Sequence, residues 1–129
     1  MSKKILIVDD EPYILRSLQF QLERIGNLDV ITAADGEEAV RLIEEENPCL
    51  IFLDLMLPKK SGYEICQWIK TTPHLSGIHV IILSARGQRD EISKGIQCGA
   101  DEYMTKPFEP RQILEKALNV LDKHSVKTE

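Results

Sequence analysis

The run Cys49-Leu-Ile-Phe-Leu-Asp-Leu-Met-Leu57 is the most apolar in the chain, and it carries a single charge, at Asp54. Residues 49 to 54 are apolar at every position before that acid. They read as a central parallel strand covered on both faces, because a strand with one wet face would alternate. An ionised carboxylate at the end of such a strand loses hydration and requires a cation, hydrogen-bond donors or a proton nearby. The other short apolar runs also end in polar residues. Ile5-Leu-Ile-Val8 leads into Asp9-Asp10-Glu11, Ile78 to Ser84 ends on a hydroxyl, and a short strand at 101 to 105 leads into Lys106-Pro107. In an open parallel sheet the C-terminal strand ends line one crevice, so these residues are expected to meet there although they are far apart in sequence.

Stretches with helical spacing separate the apolar runs, which is the signature of repeated βα units, and five of each can be counted. After a first strand at 4 to 9, Pro12 suits the first turn of a helix that buries Ile14, Leu15, Leu18, Leu22 and Ile25 and ends at Gly26-Asn27. A second strand at 28 to 33 precedes Asp35 and Glu38, a capping-box pair for a helix burying Ala39, Leu42 and Ile43. Ser61 and Glu64 repeat that pattern ahead of Ile65, Cys66 and Ile69. Ile92, Gly95, Ile96 and Gly99 share a helical face whose glycines weaken it, so this helix is expected to be the most mobile. Ile113, Leu114, Ala117 and Leu121 face inward on the last helix. Trp68, Phe20, Phe52, the histidines and the cysteines read as packing residues, and Lys59-Lys60 and Arg86 with Arg89 as solvated faces.

At 129 residues the chain fits one domain, assigned to 1–122, with 123–129 as a polar tail or linker stub. A net charge of -5, with 16 basic and 21 acidic side chains interspersed, provides no polybasic stretch and argues against nucleic-acid contact by this domain and against membrane binding. Three widely spaced cysteines, Cys49, Cys66 and Cys98, argue against a disulfide framework or a paired metal site. Only four apolar residues follow Met1-Ser-Lys-Lys4, too few for a signal peptide or a membrane span, and a reducing cytoplasm is the expected location.

Asp9, Asp10 and Asp54 would bring up to three negative charges into one pocket, which demands a shared proton or a cation. Oxygen-only ligands with positions left for water and a phosphate suit Mg²⁺. The histidines at 74, 79 and 124 lack the spacing of Zn²⁺ ligands. Ser84 adds a hydroxyl, and Lys106 a compact ammonium that binds phosphate as a point charge. Asp54, with acids on one neighbouring strand and Ser84 and Lys106 on others, is the best placed nucleophile for phosphoryl transfer.

These residues, in this order, resemble the receiver domain of two-component response regulators, chemotaxis-regulator-like domains among them, from about Lys3 to Leu121. Asp9-Asp10-Glu11 looks like the family's acidic pair and Asp54 like its phosphoacceptor. Pro58 and Gly62 look like the loop that follows, Ser84-Ala85 like the hydroxyl switch position, Tyr103 like the aromatic switch and Lys106-Pro107-Phe108 like the lysine segment. The resemblance implies an α/β, flavodoxin-like (βα)₅ fold, a five-stranded parallel sheet with helices on both faces. It also implies a signalling switch of bacterial type in which Asp54 takes a phosphoryl group from a phosphohistidine on a histidine kinase or phosphotransfer protein, with Mg²⁺ required. Asp10 and Asp54 would contact the metal directly, Met56 through its carbonyl and Asp9 through water. The Lys106–Pro107 bond is often cis in the family, against about 5% of X-Pro bonds generally. Ser84 and Tyr103 would then shift and repack the surface around 88 to 108, which a downstream output protein or domain would read, the receiver itself being a monomer or a phosphorylation-dependent dimer. The domain would catalyse its own phosphorylation and a slow autodephosphorylation, since Met56 and Arg86 supply no group to position water, and would have no metabolic activity.

Other readings fit less of the chain. A nucleotide- or flavin-binding protein would need a glycine-rich cradle after the first strand, where Asp-Asp-Glu-Pro stands. A phosphohydrolase resembling the haloacid dehalogenase family needs a second Asp at the position of Met56. A degenerate receiver, binding partners without phosphate, would not be expected to retain Asp9, Asp10, Asp54, Ser84 and Lys106 together.

Overall fold

β1 (Ile5–Val8) lies between β2 (Val30–Ala33) and β3 (Leu50–Asp54), and β4 (His79–Ser84) and β5 (Glu102–Thr105) continue the sheet beyond β3. The order is β2-β1-β3-β4-β5 and every pair is parallel. A computed structural model describes residues 3–84 and 99–127. Among them are four α-helices, α1 (Pro12–Phe20), α2 (Gly36–Glu46), α3 (Gly62–Thr71) and α4 (Pro110–Lys127), with a π-helical turn at Gln21–Ile25. The helix expected around Ile92 and Ile96, together with Ala85, Arg86, Arg89 and Cys98, lies outside the described residues.

Strand alternation divides the core in two. Leu6, Val8, Ile51, Leu53, Val80 and Ile82 face Ala39 and Ile43 of α2 and Ile65, Cys66 and Ile69 of α3. Ile5, Ile7, Leu50, Phe52, Ile81 and Leu83 face the other way, onto Leu18, Leu22, Ile113, Ala117 and Val120. β1, β3 and β4 are therefore covered on both faces, which is why their sequences do not alternate in polarity. Both N-cap bonds form as read, but the reciprocal half of each capping box does not, since Glu64 meets the Ser61 hydroxyl and Glu38 the amide before its cap. Asp35 accepts from the Glu38 amide (2.9 Å) and Ser61 from the Glu64 amide (3.2 Å). The Glu38 carboxylate closes back onto the Ala34 amide, at 3.0 Å.

Three expectations about the helices need correction. Ile25 is 60% exposed, because the π turn, closed by a Gly26 amide to Gln21 carbonyl bond, adds a residue and rotates the last turn away from the core. Phe20 is 56% exposed. It stands two residues past Leu18, about 200° around the helix, and so points away from the sheet. Gly99 lies in a turn at φ +89°, not on a helical face.

Candidate functional site

The crevice forms where the connection from β1 leaves toward β2 while the chain returns to β3 on the opposite side. Val8 is in register with Leu53, so Asp9, one residue on, stands beside Asp54 at the end of β3. Asp54 pairs in register with Leu83, Ser84 with Thr105, and the Lys106 amide donates to the Ser84 carbonyl at 2.7 Å. Four neighbouring strands thus deliver Asp9, Asp54, Ser84 and Lys106 to one edge of the sheet.

Lys106 Nζ reaches across the crevice and donates to Asp9 Oδ2 at 2.9 Å and Asp54 Oδ2 at 3.2 Å, with Glu11 Oε1 at 4.0 Å. The second oxygens of the two aspartates are held by main chain, Asp9 Oδ1 by the Glu11 amide and Asp54 Oδ1 by the Met56 amide, each at 3.0 Å. Glu11 occupies the N-cap position of α1 without a side-chain capping bond. The acidic run therefore serves the crevice rather than a side-chain cap of the helix. Asp9 is fully buried, Asp54 nearly so, and Asp10 exposed, yet carboxylate oxygens of all three lie within 4.8 Å of one another. Burial pushes the Asp54 carboxyl above its ordinary value of 3.8. The Met56 amide and Lys106 pull against that rise, and the charge of Asp9 adds to it. Burial opposes the Lys106 charge too, but the hydrogen bond to Asp9 and the charges of Asp54 and Asp9 outweigh it and raise the ammonium.

Ser84 is completely buried, and its Oγ has no hydrogen-bond partner among the described residues. A buried hydroxyl left in this way carries an unrecovered desolvation cost. Tyr103 is half-buried against the α2–α3 side of the core. The Met56 side chain is 56% exposed at the crevice mouth. The Lys106–Pro107 bond is cis. Gly62 allows the loop after β3 to fold back closely, its amide donating to the Leu55 carbonyl at 3.1 Å, and a Cβ there would strike the Asp54 carbonyl. A groove of about 500 Å³, lined by Tyr13, Ile14, Phe108 and Pro110 among others, opens beside Lys106.

The sequence offers Lys106 to a phosphate or, as a structural ion pair, to Asp54, and its contact with Asp9 as well is not legible there. Lys59, read as a solvated face, is exposed as expected, and it sits at φ +71° with Nζ 3.6 Å from Asp35. His79, read as packing, is 2.8 Å from Glu102, which also pairs with Lys116 at 2.6 Å. Alternating polarity between strand starts and helix sides was the available signal, but it does not specify partners.

Comparison with known proteins agrees with this fold. The alkaline phosphatase synthesis transcriptional regulatory protein PhoP of Bacillus subtilis (strain 168) is 44% identical over 126 residues, covering 98% of this chain and 51% of its own length. This chain thus spans about half the length of the curated relatives it matches. Among solved structures, a CheY-like response regulator receiver domain protein from Methanospirillum hungatei JF-1 superposes with a TM-score of 0.85 at 34% identity, over 98% of this chain and 99% of that one. The response regulator DrrB, a Thermotoga maritima OmpR/PhoB homolog, gives 0.80 at 37% identity, over 96% of this chain and 54% of that one. Residues 5–118 match the family model of the response regulator receiver domain, and the chain belongs to that family.

Proposed function

We propose that this domain is a phosphorylation-controlled switch in which Asp54 accepts a phosphoryl group from a phosphohistidine on a histidine kinase or phosphotransfer protein. One observation carries the reading: Asp54 is held at the convergence of the strand ends, with Lys106 Nζ bridging it to Asp9 at 3.2 and 2.9 Å. An Asp54 oxygen attacks phosphorus as the bond from phosphorus to the imidazole nitrogen breaks, and the electron pair leaves with the imidazole. Burial makes the carboxylate more basic and so a better nucleophile. Lys106 supplies positive charge to the phosphoryl oxygens. The buried Ser84 hydroxyl has a donor to offer one of them.

The oxygen-only donor set of Asp9, Asp10 and Asp54 fits Mg²⁺, with the Met56 carbonyl as a further ligand. When bound, Mg²⁺ would neutralise charge developing on the transferred group. Ser84 and Tyr103 then bias the packing of the surface from 88 to 108, of which 99–108 is described, toward the form an output protein or domain reads. Met56 presents no hydrogen-bonding side chain to a water at the crevice mouth, which favours slow loss of the phosphoryl group. We assign residues 1–122 to the receiver and 123–129 to a polar tail or linker stub, although α4 itself runs on to Lys127. The expected setting is cytoplasmic, with the domain a monomer or a phosphorylation-dependent dimer; no helix among the described residues is long and apolar enough to cross a membrane.

The test is intact mass after incubation with Mg²⁺ and acetyl phosphate. A single phosphoryl adduct is expected in the parent and none in Asp54→Asn. An adduct that persists in Asp54→Asn, or a parent that takes none at saturating donor, overturns the assignment.

A further inference from the structure

The loop between β3 and α3 is attached to the start of α2 as well as to its own strand. Pro58, four residues past Asp54, accepts from the Gly36 amide at 3.2 Å, and its carbonyl also takes the Lys60 amide at 2.8 Å. Gly36 is buried, and a Cβ there would strike the carbonyl and Cβ of Lys60. Lys59 stands at φ +71°, a left-handed conformation that is uncommon for a residue with a side chain and is held by its surroundings. That conformation brings its Nζ to 3.6 Å from Asp35 Oδ2, while Asp35 Oδ1 caps α2 through the Glu38 amide. One carboxylate thus ties the helix start and the loop together. At its other end the same loop supplies the Met56 amide that holds Asp54 Oδ1 at 3.0 Å.

We propose that Asp35, Gly36 and Lys59 are positioning residues for the phosphoacceptor: the start of α2 clamps the 55–61 loop and so fixes the Met56 main chain against Asp54. The proposal rests on the reading of Asp54 as phosphoacceptor beside a divalent cation. Its chemistry is geometric, since none of the three residues touches Asp54, and a shifted Met56 would release one oxygen of the reacting carboxylate and misplace the carbonyl offered to Mg²⁺.

Charge sign separates positioning from a simple field effect. Asp35→Asn removes a negative charge but keeps an acceptor for the Glu38 amide, because Asn caps helices as well as Asp. Lys59→Met removes a positive charge. If these residues act only through their fields, the first weakens Mg²⁺ binding and the second strengthens it. If they clamp the loop, both weaken it, roughly three-fold for an exposed pair, and Lys59→Arg restores it. Gly36→Ala should weaken it roughly ten-fold.

Mg²⁺ affinity by calorimetry, the Met56 amide resonance in metal-free protein and the melting temperature in chelator are to be measured together. The expected result is weaker Mg²⁺ binding and a displaced Met56 resonance in both Asp35→Asn and Lys59→Met, with melting temperatures unchanged. Opposite changes in the two variants, or parent-like affinity and resonance in both, overturn the clamp and leave the Asp54 reading intact. A parent protein that binds no Mg²⁺ overturns the reading beneath it.

Discussion

At the N-terminal ends of the strands, charges are matched one against another. Lys4 pairs with Glu46 at 3.0 Å and Lys70 with Asp101 at 2.7 Å, while Glu102 meets both Lys116 and His79. At the C-terminal ends Asp9, Asp10 and Asp54 lie close together, Lys106 bridges Asp9 and Asp54, and the buried Ser84 hydroxyl has no partner among the described residues. The two ends come from the same strands and the same core, so the difference is not one of packing. Ion pairs at the first end satisfy the groups they join. At the second, carboxylates of like charge are held close together by burial and main-chain amides, an arrangement that is costly unless a cation or a proton offsets it.

The two ends also differ in their titration. Glu102 is partly desolvated, which raises its carboxyl, but the bonds and charges of Lys116 and His79 prevail and hold it below its usual 4.5. Asp54 is held above its usual 3.8 by burial. A lowered carboxyl stabilises the fold above its unfolded value, and this stabilisation is lost as pH falls through the folded value. A raised carboxyl contributes stability below its unfolded value, and that contribution is lost as pH rises through the folded value.

The largest expected effect is chemical, complete loss of the phosphoryl adduct in Asp54→Asn. The same variant should melt higher than the parent at pH 7 in chelator, with the difference vanishing below about pH 3.8. Next is Lys106→Met, which leaves two buried carboxylates facing each other. It should cost roughly 3 kcal/mol in chelator by urea unfolding, the low end for a buried pair because Lys106 keeps 17% exposure, and Mg²⁺ should recover part of it. Glu102→Gln should cost roughly 1 kcal/mol at pH 7, since its partners are partly exposed, and should converge on the parent below about pH 4.5. Its pH dependence is thus opposite in sign to that of Asp54→Asn, and curves of the same sign would erase the distinction between the two ends. Smallest is Ser84→Ala, expected within about 0.5 kcal/mol of the parent or slightly above it, because it removes a hydroxyl that is buried without a described partner. A loss of 2 kcal/mol or more in thermal unfolding would mean that Ser84 is a paired structural residue.

Local signals explain how much of this was legible beforehand. Asp35 with Glu38 and Ser61 with Glu64 mark helix starts because capping is a contact between residues three apart. Ile65, Cys66 and Ile69 fall inside because their spacing matches one helical face. Ile25 escaped the same logic, since one extra residue in a π turn shifts the period and no local feature of Gln21 to Ile25 announces it.

The order of residues along the chain was enough to establish the parallel sheet, its doubly covered central strands and an acidic edge at Asp9, Asp10 and Asp54, because hydrophobic period, capping and turn chemistry act over a few residues. Three-dimensional packing settled which charges meet. Lys106 spans Asp9 and Asp54, Glu102 joins Lys116 and His79, and Asp35 reaches Lys59. Each of these pairs depends on strand order and on which side of the sheet a connection crosses, and such distances between remote segments are fixed only when the whole core closes.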